Sequence, residues 1–94
     1  MQYDFRSSFE KSFKRLSPQR QKKVKEAIQD FLDFLDKKIS LKRGLGLKNL
    51  QGDYWEFRSG IKDRIIIEGL GSGEIIFWLV GNHDEIRRFI KSRR

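Results

Sequence analysis

Apolar and polar positions change period along this chain, and each period predicts one kind of element. Tyr3 and Phe5 alternate with polar neighbours, which predicts a short strand with one buried face. Apolar residues at helical spacing then predict a short helix, with Ser7 as its N-cap and Glu10 completing a capping box. The chain therefore opens with a strand followed by a helix.

The second predicted helix is longer than the first. Ser17 and Pro18 suit an N-cap and a first helical position, and apolar residues recur every three or four positions over residues 18–38. This periodicity ends over residues 40–53, where glycines stand among basic residues. Such a composition predicts a flexible, positively charged connection.

Alternation returns in three runs that predict consecutive strands, at Tyr54–Arg58, residues 64–70 and residues 74–80. Beyond Gly81, Asp84 is a candidate N-cap for a last helix. The predicted order is β-α-α-β-β-β-α, which indicates an α+β fold with a mainly antiparallel sheet packed on one face by helices. With 94 residues, the chain 1–94 is expected to form a single domain.

Aromatic side chains of the predicted strands are assigned to the core rather than to base stacking, because alternating strand aromatics usually pack inside. These are Trp55, Phe57, Phe77 and Trp78. Trp78 alternates to the other face, where a partner could cover it.

The net charge of the chain indicates which classes of partner it could bind. Lysine and arginine total 21 against 13 acidic residues, which gives a formal net charge of +8. This excess favours a polyanion, and a nucleic acid, an acidic protein segment or an anionic lipid surface would each satisfy it.

Residue types also exclude some chemistry. The chain has no cysteine, which excludes disulfides and thiolate catalysis, and its one histidine, His83, excludes a histidine-rich metal site. No cofactor or metal is expected. Since no apolar run resembles a secretory signal or could cross a bilayer, a cytoplasmic protein without a membrane partner is expected.

Three short motifs carry a family resemblance. The chain contains the runs LQGDYWEFR, DRII and FWLVGNHDE, which begin at positions 50, 63 and 77. Together they resemble the signature of RelE/ParE toxins, and a histidine two residues after a glycine is similar to the YafQ-like branch. The resemblance covers nearly the whole chain and implies a RelE-like fold.

The same resemblance implies a function. Toxins of this type act in type II toxin–antitoxin systems as metal-independent, ribosome-dependent endoribonucleases that cleave mRNA and inhibit translation. The implied partners are a cognate antitoxin protein, mRNA and the ribosome.

Three residues are candidates for catalysis. His83 is the natural proton-transfer group, although it could merely cap a helix or bond locally. Arg64 could grip a phosphate through two parallel N–H bonds, or form a salt bridge to Glu56 or Glu68. Arg58 is a second candidate for transition-state charge, or belongs with Glu56 to a solvated face.

Further basic and aromatic positions are candidates for RNA binding, and the alternatives are a solvated loop and a charged tail. They are Lys42, Arg43, Lys48, Arg87, Arg88, Phe89 and Lys91. Two positions depart from the family pattern. Ile67 stands where a tyrosine is common, and Phe89 can stack on a base but cannot transfer a proton.

Two other functions fit the sequence. A ParE-like chain would inhibit DNA gyrase without cutting RNA, and a non-catalytic module would bind nucleic acid through its basic surface alone. In the second case, replacing His83 would leave the biological effect almost unchanged.

Overall fold

The computed structural model describes residues 2–36 and 45–93. Within these two ranges lie three helices and five strands, in the order β1 (Gln2–Phe5), α1 (Ser7–Lys14), α2 (Pro18–Leu35), β2 (Lys48–Gln51), β3 (Tyr54–Arg58), β4 (Arg64–Glu68), β5 (Glu74–Gly81) and α3 (His83–Ser92). Lys42, Arg43 and the predicted end of the second helix near residue 38 lie outside the described residues. No helix in the described ranges is long and apolar enough to cross a membrane.

The strands form one sheet in the order β1-β5-β4-β3-β2. β1 pairs with β5 in parallel, and the other neighbours pair antiparallel. This architecture confirms the predicted α+β class with a mainly antiparallel sheet.

β2 is a strand that the sequence did not predict. It pairs antiparallel with β3, with Lys48 opposite Glu56, although its sequence KNLQ has no apolar alternation. An edge strand needs only backbone partners on one side, so polar side chains do not prevent its pairing. The prediction of a flexible connection over residues 40–53 is therefore wrong for β2, and Leu45, which is 5% exposed, also packs in the core.

The main core lies between one face of the sheet and helices α1 and α2. Phe57 on β3 and Phe31 on α2 are fully buried, and their rings stack with centroids 4.6 Å apart. Other residues of this core are Phe9, Leu16, Val24, Ala27, Ile65, Ile67, Ile75, Phe77 and Val80. Phe57 and Phe77 thus occupy the predicted core, and Trp55 packs against it partly buried.

α3 lies on the opposite face of the sheet. The ring of Phe89 contacts Tyr54 and Trp78, each at 5.7 Å between centroids, and these two side chains alternate with the core-facing Phe57 and Phe77 along their strands. The prediction that helices cover one face holds for α1 and α2 but not for α3. The short apolar stripe of α3 covers a second, smaller layer there, in which Ile86 is 2% exposed.

β1 buries less than its alternation predicts. Tyr3 and Phe5 are 38% and 41% exposed, so the predicted buried face is wrong for this strand. β1 forms the edge of the sheet, and although the Phe5 ring stacks on Phe77 at 4.4 Å, its outer side opens into a cleft of about 370 Å³ beside Phe9 and Phe13.

The starts of α1 and α2 differ in how far they match the predicted caps. Ser17 caps α2 by accepting a hydrogen bond from the backbone N–H of Arg20 at 3.3 Å, as predicted. α1 begins at Ser7 with Arg6 in the N-cap position and no side-chain cap, so the predicted capping box is wrong. The backbone N–H of Arg6 donates to the carbonyl of Phe77 at 3.0 Å and holds Arg6 in an extended conformation. The N-cap of α1 is therefore Arg6, one residue before the predicted Ser7.

Candidate active site

The predicted catalytic residues come together at one end of the sheet. Arg58 on β3 lies directly opposite Arg64 on β4, and Arg64 lies opposite Gly81 on β5. Side chains opposite one another in an antiparallel pair have Cβ atoms about 4.5–5.5 Å apart, so the two cations are neighbours. His83 follows Gly81 by two residues and begins α3.

A buried carboxylate offsets the repulsion between these arginines. Arg64 forms an ion pair with Glu56, with 2.9 Å between Nε and Oε2, and the two side chains are 19% and 9% exposed. Lys48 lies opposite Glu56 on β2. The salt bridge considered for Arg64 is therefore present with Glu56, whereas Glu68 accepts a hydrogen bond from Nε1 of Trp78 at 2.8 Å.

Glu56 was not a site candidate in the sequence. Its alternation with Trp55 and Phe57 placed it on a polar face, which is usually solvated. Only the strand register and the packing of α3 show that Glu56 is buried and lies against a groove.

The groove runs between α3 and the β2–β3 end of the sheet and has a volume of about 720 Å³. His83 and Glu56 line it together with four predicted RNA-binding cations. The lining residues are Lys48, Leu50, Glu56, His83, Asp84, Ile86, Arg87, Arg88, Ile90 and Lys91. Arg58 and Arg64 are not among the described lining residues, and Arg64 adjoins the groove through Glu56.

The start of α3 fixes His83 at the groove. Asn82 caps the helix by accepting the Glu85 backbone N–H at 2.9 Å, and Glu85 Oε1 accepts the Asn82 backbone N–H at 3.0 Å. The predicted N-cap, Asp84, is therefore wrong, because the helix begins one residue before it. A Cβ on Gly81 would lie 3.0–3.1 Å from the Glu85 side chain, so any larger residue before Asn82 would push Glu85 by a few tenths of an ångström and disturb this capping box.

A second ion pair holds the β3–β4 hairpin against α2. Arg20 donates to both carboxylate oxygens of Asp63, at 2.8 Å from Nε and 2.5 Å from Nη2. The hydrogen bond to Asp63 raises the pKa of Arg20 above its ordinary value. Ser59 donates its backbone N–H to the Asp63 carbonyl at 3.0 Å, which closes the loop between Arg58 and Arg64.

The two positions that depart from the family pattern have structural roles. Ile67 is fully buried in the main core, on the face away from the groove. Phe89 packs between Tyr54 and Trp78, and the guanidinium of Arg93 lies 4.7 Å from its ring centroid. Its stacking on an RNA base stays a prediction. Among the described residues, no group of three or more metal-binding side chains converges.

Comparison with known proteins identifies the fold. No family model matches the chain, and no curated protein matches its sequence. A chain of the RelB–RelE antitoxin–toxin complex from Methanococcus jannaschii is 26% identical, with a TM-score of 0.64 over 92% of this chain and 96% of that one. A histidine-to-glutamine variant of YafQ from E. coli is 14% identical, with a TM-score of 0.67 over 89% and 94%.

The YoeB/ParE toxin from Agrobacterium tumefaciens is 18% identical, with a TM-score of 0.63 over 88% of this chain and 99% of that one. These neighbours agree with the three motifs in the sequence. The chain therefore has the fold of the RelE/ParE toxins, as the resemblance of its motifs implied.

Proposed function

We propose that this chain is the toxin of a type II toxin–antitoxin system, and that it is an endoribonuclease that cuts mRNA on the ribosome and inhibits translation. One observation supports this most: an exposed histidine and a buried carboxylate line a single groove whose other charged residues are mainly cations. The toxin neighbours support the same assignment.

RNA cleavage without a metal needs a base, an acid and cationic donors. His83 and Glu56 are the two proton-transfer groups: one removes the proton of the 2′-hydroxyl and the other protonates the departing 5′-oxygen. The 2′-oxygen attacks the phosphorus, the bond to the 5′-oxygen breaks, and a 2′,3′-cyclic phosphate remains. Arg64, held by Glu56, and Arg58 beside it stabilise the charge that grows on the phosphate.

Cations along α3 hold the RNA backbone. Lys91 follows Arg87 and Arg88 by four and three positions, so the three cations are neighbours on the surface of α3. Lys48 on β2 lines the other side of the groove. Each phosphate that they neutralise releases a counterion, so binding is expected to weaken steeply with salt. Lys42, Arg43 and Phe89 complete the proposed RNA-binding set, and the ribosome supplies the remaining alignment of the message.

A cognate antitoxin is the second proposed partner. The Methanococcus jannaschii neighbour belongs to an antitoxin–toxin complex. The net charge of +8 here is complementary to an acidic protein segment. Toxin, antitoxin and ribosome would then meet in the cytoplasm.

The direct test is mRNA cleavage in a reconstituted translation reaction, with cut sites mapped by primer extension. Wild type should give codon-phased cuts, and His83→Ala and Arg64→Ala should lower their rate at least about a hundredfold, the usual cost of removing a transition-state donor. Arg15→Ala is the matched control, because Arg15 is exposed at the end of α1 on the other side of the sheet. No cuts together with normal translation would refute the ribonuclease.

The same preparation separates the two other functions. Inhibition of gyrase supercoiling that survives His83→Ala would assign a ParE-like activity. RNA binding without cleavage, again insensitive to His83→Ala, would assign a non-catalytic module.

A further inference from the structure

The segment before β2 runs directly against Arg58. The backbone N–H of Arg58 donates to the carbonyl of Leu45 at 2.5 Å, and Leu45 is anchored in the core at 5% exposure. A Cβ on Gly46 would lie 3.3 Å from Nε of Arg58 and 3.4 Å from its Cδ. The side chain of Arg58 therefore passes so close over Gly46 that a methyl group there would push it away by a few tenths of an ångström.

Arg58, which is exposed, differs from Arg64 and Arg20 in how its side chain is held. Arg64 is paired with Glu56 and Arg20 with Asp63, whereas no carboxylate pairs with Arg58 within residues 2–36 and 45–93. The close passage of its side chain over Gly46 is therefore the contact that can set its orientation beside Arg64.

We propose that Gly46 is a positioning residue for Arg58, because the missing side chain lets the guanidinium lie across the backbone and point toward the phosphate that Arg64 also binds. This inference rests on the proposed function for its effect on catalysis, but the contact itself can be measured without any activity. It also assigns a role to a glycine whose sequence context indicates only flexibility.

A second glycine in the same connection provides a matched control. Gly46 has φ of +62° and Gly52 has φ of +55°, so alanine is strained at both positions by the same left-handed backbone. A Cβ on Gly52 would meet nothing within 4 Å. Gly46→Ala and Gly52→Ala should therefore lower the urea midpoint by similar amounts, and only Gly46→Ala should displace Arg58.

The experiment combines cleavage with nuclear magnetic resonance on four variants: Gly46→Ala, Gly52→Ala, Arg58→Ala and the double variant Gly46→Ala/Arg58→Ala. The Nε–Hε signal of Arg58, assigned by its loss in Arg58→Ala, should shift in Gly46→Ala and stay in place in Gly52→Ala. Single-turnover cleavage should fall by up to about tenfold in Gly46→Ala, because a shift of a few tenths of an ångström is smaller than the misplacement of about 1 Å that costs about a hundredfold. In the double variant it should fall no further than in Arg58→Ala.

The outcomes separate the two proposals. If wild type does not cut RNA, the proposed function fails, and the Arg58 signal alone decides whether Gly46 positions that side chain. If wild type cuts RNA, equal cleavage by the two glycine variants, or additive losses in the double variant, would overturn the positioning role. An Arg58 signal that responds equally to both alanine substitutions would also overturn it.

Discussion

Replacing Arg20 with alanine removes the partner of a carboxylate that the fold has already buried. The two side chains are unequally exposed, 43% for Arg20 and 6% for Asp63, so the two halves of this ion pair should not cost the same when removed. Without Arg20, the Asp63 carboxylate stays inside with its charge unpaired. Without Asp63, the guanidinium of Arg20 turns into water.

The magnitudes follow from that asymmetry. Breaking a fully buried pair by removing one partner costs about 3–5 kcal/mol, and because water reaches the Arg20 side we expect about 2–3 kcal/mol for Arg20→Ala. Asp63→Ala should cost about 1 kcal/mol, near the upper value for an exposed pair. Adding Asp63→Ala to Arg20→Ala should recover part of the stability, because the unpaired charge is then gone.

Urea unfolding followed by circular dichroism at neutral pH measures all three values by linear extrapolation. Arg20→Lys is an informative fourth variant, because it keeps the charge but loses the two-pronged geometry, and it should fall between wild type and Arg20→Ala. Equal costs for Arg20→Ala and Asp63→Ala, or a larger cost for Asp63→Ala, would refute the reasoning from burial.

Three other substitutions test the packing of the site and the core. Gly81→Ala should destabilise the protein by about 1–3 kcal/mol, because the new Cβ overpacks against Glu85 and disturbs the cap of α3. Thermal unfolding measures this loss, and an unchanged Tm would contradict the close contact. Gly69→Ala should destabilise the protein more, because the new Cβ would lie 2.5 Å from a backbone oxygen and Gly69 has a φ of +91°. Soluble expression at the wild-type level would argue against this turn geometry. Phe57→Ala should cost about 3–5 kcal/mol by removing a fully buried ring stacked on Phe31, and a urea titration that gives less than about 2 kcal/mol would mean that the core collapses around the cavity.

The sequence predicted well those elements whose side chains carry a strong period. β3 has the predicted bounds, and α2 begins at the Ser17-Pro18 signal, because both depend on local chemistry. β2 was not predicted, because an edge strand forms by pairing with the backbone of its neighbour and needs no alternation of apolar residues of its own. The N-cap of α3 was predicted wrongly for a similar reason. Asn82 and Asp84 are both good N-caps, and the position at which β5 ends decides between them.

The candidate site was predicted in part. The glycine-x-histidine motif indicated His83, and the register of β3, β4 and β5 brings both arginines to the same end of the sheet. Glu56 could not be identified, because its burial depends on α3 covering that face. The choice of Glu56 over Glu68 as the partner of Arg64 likewise depends on register, which a single sequence does not determine.

The pairing of β1 with β5 also constrains when a newly made chain can fold. Gln2 pairs with Glu74, so the first strand waits for its neighbour until most of the chain has been synthesised. Contacts this distant in sequence form late and slow the final folding step. His83 and the basic helix that carries it are made later still, so the groove is complete only when nearly all of the chain has been synthesised.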